Sequence, residues 1–255
     1  MLSQKEIEKM ENKYLNKFYH FMKFSEDEMM YWFQTKEKIK DDRIWKYWWE
    51  NWWISDFAVW AERIVYALFN WKWIGQPNSS PVGSDLFFEV KDAFIHIDLK
   101  TVQTNNIWDI RNSIFVGKNQ NSYKWKMKVQ WQAEEREYIP ALPTFYNLWK
   151  KEEKVCLTYF VTILYEAENL NILNINILCM PNWKLESHYW TRVLKAWKNP
   201  DKTRFAFERT PTFELLEDTP PRIKVVFFDT NMKDKYKKEL KFYEQLYNSQ
   251  IDNTN

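Results

Sequence analysis

Glycine is nearly absent. Only Gly75, Gly83 and Gly117 occur among 255 residues, against about 7% in ordinary proteins. A P-loop or a dinucleotide fingerprint needs closely spaced glycines so that backbone N–H groups can approach phosphates. These three stand too far apart, which argues against nucleotide-dependent phosphotransfer on the common folds. Cysteine is as scarce. Cys156 and Cys179 are the only two, too few for a disulfide framework and in keeping with a reducing cytoplasm. With His20, His96 and His188 scattered along the chain, no Cys/His cluster has zinc-site spacing. Long apolar runs are missing too: the longest, residues 155–165, falls short of the roughly 20 residues that cross a bilayer. Met1-Leu2-Ser3 leads directly into alternating charge, with no apolar signal core. Neither sign of charge dominates, since 37 basic and 35 acidic residues leave a net +2. A cytoplasmic globular protein with no membrane partner is the expectation.

What is plentiful is aromatic. Aromatics make up 19% of the chain and include 16 tryptophans, ample bulk for a core. Ile7, Met10, Tyr14, Phe18, Phe21 and Met22 fall near helical spacing among Lys and Glu, predicting an amphipathic helix over residues 3–24. A second helix begins where Ser55 can cap, with Phe57, Ala58, Ala61, Ile64, Val65, Leu68 and Phe69 on one stripe. Residues 75–84 collect nearly every turn-forming residue type and read as a loop. Leu86–Val90 and Ala93–Leu99 read as a strand hairpin around Lys91-Asp92. Further strands are expected at 155–165, 170–179 and 223–228, with helices at 186–197 and 232–248. No linker or repeat divides the chain. One α/β domain over 1–255 is expected, a mixed β-sheet flanked by helices.

The informative stretch runs from Pro81 to Lys100. Alternate side chains of a strand share a face, so His96, Asp98 and Lys100 project one way while Ile95, Ile97 and Leu99 enter the core. Asp98 and Lys100 then stand roughly 7 Å apart at their Cα atoms. Asp85 opens the preceding strand, and hairpin pairing brings it beside Asp98. Convergent carboxylates repel one another. A hard divalent cation reverses that preference, and Mg²⁺ takes oxygen ligands while keeping several waters. A nearby lysine can lower the pKa of a water or stabilise charge on phosphorus. These parts suit phosphodiester hydrolysis.

On these residues the sequence resembles the PD-(D/E)XK nuclease superfamily, and within it the type II restriction endonucleases. Asp85 stands for the first acid and Asp98-Leu99-Lys100 for the D-X-K element. Glu62, in the preceding helix, sits where many such enzymes carry a further acid. The likeness covers residues 62–100. It departs in having Ser84-Asp85 instead of a Pro-Asp pair, with Pro81 just upstream. The resemblance implies a restriction-endonuclease-like core and Mg²⁺-dependent cleavage of double-stranded DNA at a short sequence, leaving 5′-phosphates. It further implies a homodimer and a cognate DNA methyltransferase in the host. Asp85, Asp98 and the Leu99 carbonyl would bind the ion. Lys100 would orient or activate the water, and Glu62 would hold a second ion or position the lysine.

Each of these residues has a plainer alternative. D-X-K alone commonly ends an exposed strand, and a helix-edge glutamate such as Glu62 is ordinarily a solvated charge. Glu89 shares a strand face with Asp85 but reads more simply as an exposed hairpin residue. His96 shares the Asp98 face, and the superfamily requires no histidine.

Residues 111–133 form a second informative window, with Arg111, Lys118, Lys124, Lys126 and Lys128 and no acid. Lys118, Asn119, Gln120, Asn121, Ser122, Tyr123 and Lys124 offer amides, hydroxyls and ammonium groups that can meet base edges and phosphates. The plainer alternative is a solvated basic loop. Thr101, Gln103 and Thr104 follow Lys100 and could reach the DNA backbone. The tryptophans at 45, 48, 49, 52, 53 and 60 read as packing rather than a stacking platform. Rival functions are a structure-selective repair or recombination nuclease of the same superfamily, a non-catalytic DNA-binding protein and an aromatic-rich protein-interaction module.

Overall fold

A computed structural model describes residues 2–40, 59–69, 85–128, 135–147, 153–190, 193–197, 199, 202–207 and 221–252. The loop at 75–84, the Ser55 cap, and five of the six tryptophans named above lie outside them.

Helix α1 (Gln4–Phe24) starts as its sequence dictates. The Ser3 hydroxyl caps the Glu6 N–H, and Glu6 reaches back to the Ser3 N–H at 2.7 Å, so two orphan donors are satisfied together. Its stripe of Ile7, Tyr14, Leu15, Phe18 and Met22 is buried. Helix α2 (Glu26–Lys40) follows after Ser25, and residues 59–69 form helix α3, with Ala61, Ile64, Val65, Leu68 and Phe69 inside.

The main sheet contains β1 (Leu86–Glu89), β2 (Ala93–Gln103), β7 (Lys154–Tyr165), β8 (Ile172–Met180) and β11 (Ile223–Phe228) in that order, with the short β6 (Phe145–Tyr146) beside β7. It is mixed: β1 and β2 pair antiparallel, β2 and β7 parallel, and the remaining neighbours antiparallel. The parallel pair explains the long apolar runs, because strands covered on both faces need no polar alternation. One face carries Ile97, Tyr159 and Ile177 and meets α1, where Phe18 packs edge-on against Tyr159 with ring centroids 5.0 Å apart. The other face carries Asp98, Phe160, Thr162 and Asn176.

A second sheet joins β3 (Ser113–Gly117), β10 (Lys202–Ala206) and β9 (Leu194–Ala196), and β4 (Trp125–Lys128) pairs with β5 (Glu135–Tyr138) as a separate hairpin. Three expectations change here. Residues 186–197 are not one helix. Helix α4 (Glu186–Tyr189) ends at Trp190, whose φ of 49° leaves the right-handed region, and β9 follows. The C-terminal helix is broken at Leu240 into α5 (Asp234–Glu239) and α6 (Lys241–Asp252), although Tyr236, Leu240 and Tyr243 are buried as the stripe requires. The strand that was to stop at Leu99 runs on to Gln103, because β7 offers it a parallel partner throughout.

Candidate active site

The β1–β2 hairpin is pinned before it reaches the site. Val90 N–H bonds to the Ala93 carbonyl at 2.9 Å, and Asp92 at the turn takes Lys13 at 2.6 Å and the Tyr14 hydroxyl, both from α1. Lys154 holds Glu89 at 2.8 Å and also donates to the Val90 carbonyl, so Glu89 is committed to the base of the hairpin. Leu86 pairs with Ile97, which sets Asp85 across from Asp98. Asp85 Oδ2 accepts the Leu99 N–H at 2.6 Å. That bond fixes the first acid on the very residue between the second acid and the lysine.

Asp98 is 3% exposed. Lys100 closes an ion pair on its Oδ2, and Gln120 Nε2 donates to its Oδ1 at 2.7 Å. Burial pushes the Asp98 carboxyl up to about 6, with Asp85 adding repulsion and Lys100 opposing both. Burial also raises Glu62, reinforced by Asp85 and opposed by Lys100. The four groups therefore share one electrostatic neighbourhood. They do not share one opening. Asp85 and Glu62 line a cavity of ≈ 350 Å³ with Tyr66, Leu86 and Leu99. Lys100 opens instead into a cleft of ≈ 560 Å³ with Phe115, Gly117, Lys118, Gln120 and Lys202. Asp98 is buried, and its carboxylate touches Lys100 and Gln120 of that cleft while sensing the charge of Asp85.

Among the described residues, no three His, Cys, Asp or Glu side chains group closely enough to hold a metal ion alone. The donors present still fit a hard cation: two repelling carboxylates and a backbone carbonyl at Leu99, with water and a phosphate left to complete the shell. An acid raised to about 6 beside a second acid is a place where added positive charge is stabilising.

His96, expected on the polar face beside Asp98, is buried. It is 1% exposed, its ring lies 4.9 Å from that of Phe87, and burial drives its pKa down to about 3. The imidazole is neutral in the ordinary pH range.

The basic window divides. Asn121 is fully buried and bonds to the Gly117 carbonyl, the Tyr138 hydroxyl and the Tyr123 N–H. Tyr123 is fully buried with its hydroxyl on the Trp190 carbonyl at 3.1 Å, and Ser122 is buried beside it. These three residues hold the turn and are not presented to a duplex. Gln120 spends both ends of its amide inside the protein. Several cations are answered by acids from elsewhere in the chain: Arg111 by Glu239 at 2.9 Å and Lys124 by Glu137 at 3.0 Å, while Lys126 stands across from Glu137 in the hairpin. Asn119 is exposed at the cleft rim, with Lys118 beside it and Lys202 on the neighbouring strand. Thr101 and Gln103 are half-buried on β2, and Thr104 is buried, accepting the Ala167 N–H.

Sequence reasoning missed Lys202 at the cleft and the bond from Gln120 to Asp98. The Gly-x-x-Gln spacing at 117–120 was the one local sign, since it lets a glutamine amide turn back on the first N–H of its own turn.

The family model for the N-terminal domain of the type II restriction enzyme MwoI matches residues 3–169, and that for its central domain matches residues 172–228. The chain belongs to this family. It is a type II restriction enzyme, a sequence-specific DNA endonuclease. No curated protein matches it by sequence. The fold is similar to that of the restriction endonuclease BglI bound to its DNA recognition sequence (TM-score 0.65, 14% identity, 89% of this chain and 92% of that one). It is similar as well to the tetrameric restriction endonuclease SfiI bound to cognate DNA (TM-score 0.62, 16% identity, 91% and 88%). At these identities the two structures speak for the restriction-endonuclease fold alone. The family as a class works with a divalent metal. Among the described residues, no helix is long and apolar enough to cross a membrane.

Proposed function

We propose that residues 1–255 form a single PD-(D/E)XK nuclease domain that hydrolyses double-stranded DNA with Mg²⁺ and leaves 5′-phosphate and 3′-hydroxyl ends. The observation that carries this reading is the hairpin that sets Asp85 on the Leu99 N–H while Asp98 pairs with Lys100. Asp85, Asp98 and the Leu99 carbonyl would hold the ion. When bound, Mg²⁺ supplies positive charge against the phosphate and the negative charge that develops on its oxygens.

The chain's own groups do the rest. Lys100 is partly exposed, with 24% of its side chain open, so its ammonium can meet a phosphate and an attacking water in the cleft. It orients that water in line and favours its deprotonated form. The water oxygen bonds to phosphorus as the bond from phosphorus to the 3′-oxygen breaks. The water proton passes to solvent and the departing 3′-oxygen takes a proton in turn. Glu62, across the other cavity, would position Lys100 electrostatically or hold a second ion.

Lys118 and Lys202 with Asn119 rim the same cleft, and Lys100 lies within it, a setting that suits the DNA backbone. Thr101, Gln103 and Lys124 are further candidate contacts that remain accessible in part. BglI and SfiI are each recorded on DNA, and SfiI as a tetramer; here a homodimer is proposed, since a two-fold assembly matches two strands with two sites. A cognate methyltransferase would protect host DNA.

Digestion of phage DNA with Mg²⁺, followed by sequencing of the ends, tests this. Discrete fragments with 5′-phosphates are expected, and none in EDTA. Cleavage at branched or damaged structures without a banding pattern would favour the repair-type reading. Binding without any cleavage would favour the non-catalytic one.

A further inference from the structure

The sequence places Gln120 among groups that would touch DNA, but its amide is already spent. Nε2 donates to Asp98 Oδ1 at 2.7 Å, and Oε1 accepts the Gly117 N–H at 2.8 Å. Chemistry fixes the direction of that amide. Reversed, it would set its oxygen against a carboxylate and its NH₂ against an N–H, losing both bonds. We propose that Gln120 is a positioning residue, which sets the Asp98 carboxylate in the orientation cleavage requires. This rests on the reading of Asp98 as a metal ligand given above.

Three observations carry it. First, among the described residues the Asp98 carboxylate is held by Lys100 and Gln120, and Gln120 is the one that does not come from its own strand: it reaches across 22 residues from the turn that follows β3. A lysine pair alone leaves the carboxylate free to rotate about its Cβ–Cγ bond; a second directed bond on the other oxygen removes that freedom. Second, the space for the amide is built into the backbone. A Cβ on Gly117 would lie 3.3 Å from Gln120 Oε1 and 3.6 Å from its Cδ, so one of the chain's three glycines stands where this side chain folds back. Third, the turn that carries Gln120 is braced from below. Asn121 bonds to the Gly117 carbonyl and to Tyr138, and the Lys118 and Asn121 carbonyls accept from Ala141 and Leu142. A turn so held can impose an orientation on its neighbour.

The test compares Gln120→Ala, Gln120→Glu and Gly117→Ala with the parent protein by steady-state cleavage, by Mg²⁺ calorimetry without DNA, and by duplex affinity in EDTA. For Gln120→Ala, kcat falls about 10–100-fold and Mg²⁺ binds about 10–100-fold more weakly, while KM and duplex affinity hold within about twofold. Gln120→Glu matches the size but cannot donate, and it is at least as impaired. Gly117→Ala keeps the glutamine and displaces it, giving a smaller shift in the same direction. Should one variant fail to fold by circular dichroism, the others still decide.

Parental kcat and Mg²⁺ affinity in folded Gln120→Ala would overturn the proposal. So would a loss of duplex affinity large enough to account for the whole defect, which would make Gln120 a DNA contact. Asp98→Ala separates the two levels. If it cleaves normally, the metal reading itself falls; if it is inactive and Gln120→Ala is not, only the positioning role falls.

Discussion

Two acid–base pairs in this protein are built for different ends. Glu11 on α1 and Arg222 beside β11 meet at 2.8 Å with side chains 0% and 2% exposed. Their partners are internal: Asn182 N–H donates to Glu11 at 2.6 Å, Arg222 donates to the Tyr189 hydroxyl at 2.9 Å, that hydroxyl donates to Glu8 at 3.1 Å, and the Tyr159 hydroxyl donates to the Glu11 carbonyl. Asp98 and Lys100 form the contrasting pair. The acid is nearly as buried as Glu11, but the base is 24% open to a cleft. A sealed pair fixes how a helix meets a sheet. A pair with one open end keeps a charge under strain where a ligand can reach it.

That contrast can be broken at its open end first. Asp98→Ala or Lys100→Ala is expected to reduce cleavage by about 10²–10³-fold or more, measured on plasmid DNA with Mg²⁺, with the fold intact by circular dichroism. Full activity in both variants would remove the chemical distinction between the pairs. At the sealed end, Glu11→Ala or Arg222→Ala leaves a buried charge unpaired and is expected to cost about 3–5 kcal/mol in urea unfolding. A loss under 1 kcal/mol would mean that the seam does not depend on the pair.

A subtler comparison uses stability at the site. Burial raises the Asp98 carboxyl to about 6 from a reference of 3.8. The sign follows from linkage: the metal-free protein is favoured while the group is protonated, and it loses stability as pH rises from about 4 through 6. Asp98→Asn escapes that loss. It should therefore be more stable than the parent by about 1–2 kcal/mol at pH 8 in EDTA, although cleavage is lost. Equal or lower urea midpoints at pH 8 would contradict it.

The smallest effect is expected at Glu166. Its bond from Lys233 holds its carboxyl below the usual range. The stability this supplies is present above the unfolded pKa and fades as pH falls through the lowered one. Lys233→Met should lower the melting temperature slightly at pH 8, leave it unchanged below the lowered pKa, and so flatten the acid limb of the melting profile; an unchanged melting temperature at pH 8 would contradict it.

Legibility in the sequence followed distance along the chain. Helix α1 could be read because its cap and stripe are local, and the hairpin because turn and strands are contiguous. Asp85, Asp98 and Lys100 came together for the same reason: one hairpin contains all three. The helix expected at 186–197 failed because its apolar spacing was compatible with two short elements, and only pairing with β10 decided for a strand at 194–196. The acid-free window misled more deeply. Its cations look unanswered in sequence, yet Glu137 and Glu239 reach them from outside it.

The amino-acid order by itself determined the acids, the lysine and the strand pair that aligns them, since a strand's alternation and a short turn leave little else open. Only the tertiary structure decided that Asp98 lies buried, that Gln120 grips it and that Asn121 and Tyr123 are bracing. Burial and long-range hydrogen bonds depend on which surfaces meet, and a turn that lays residue 120 against residue 98 writes no signature in the residues between them.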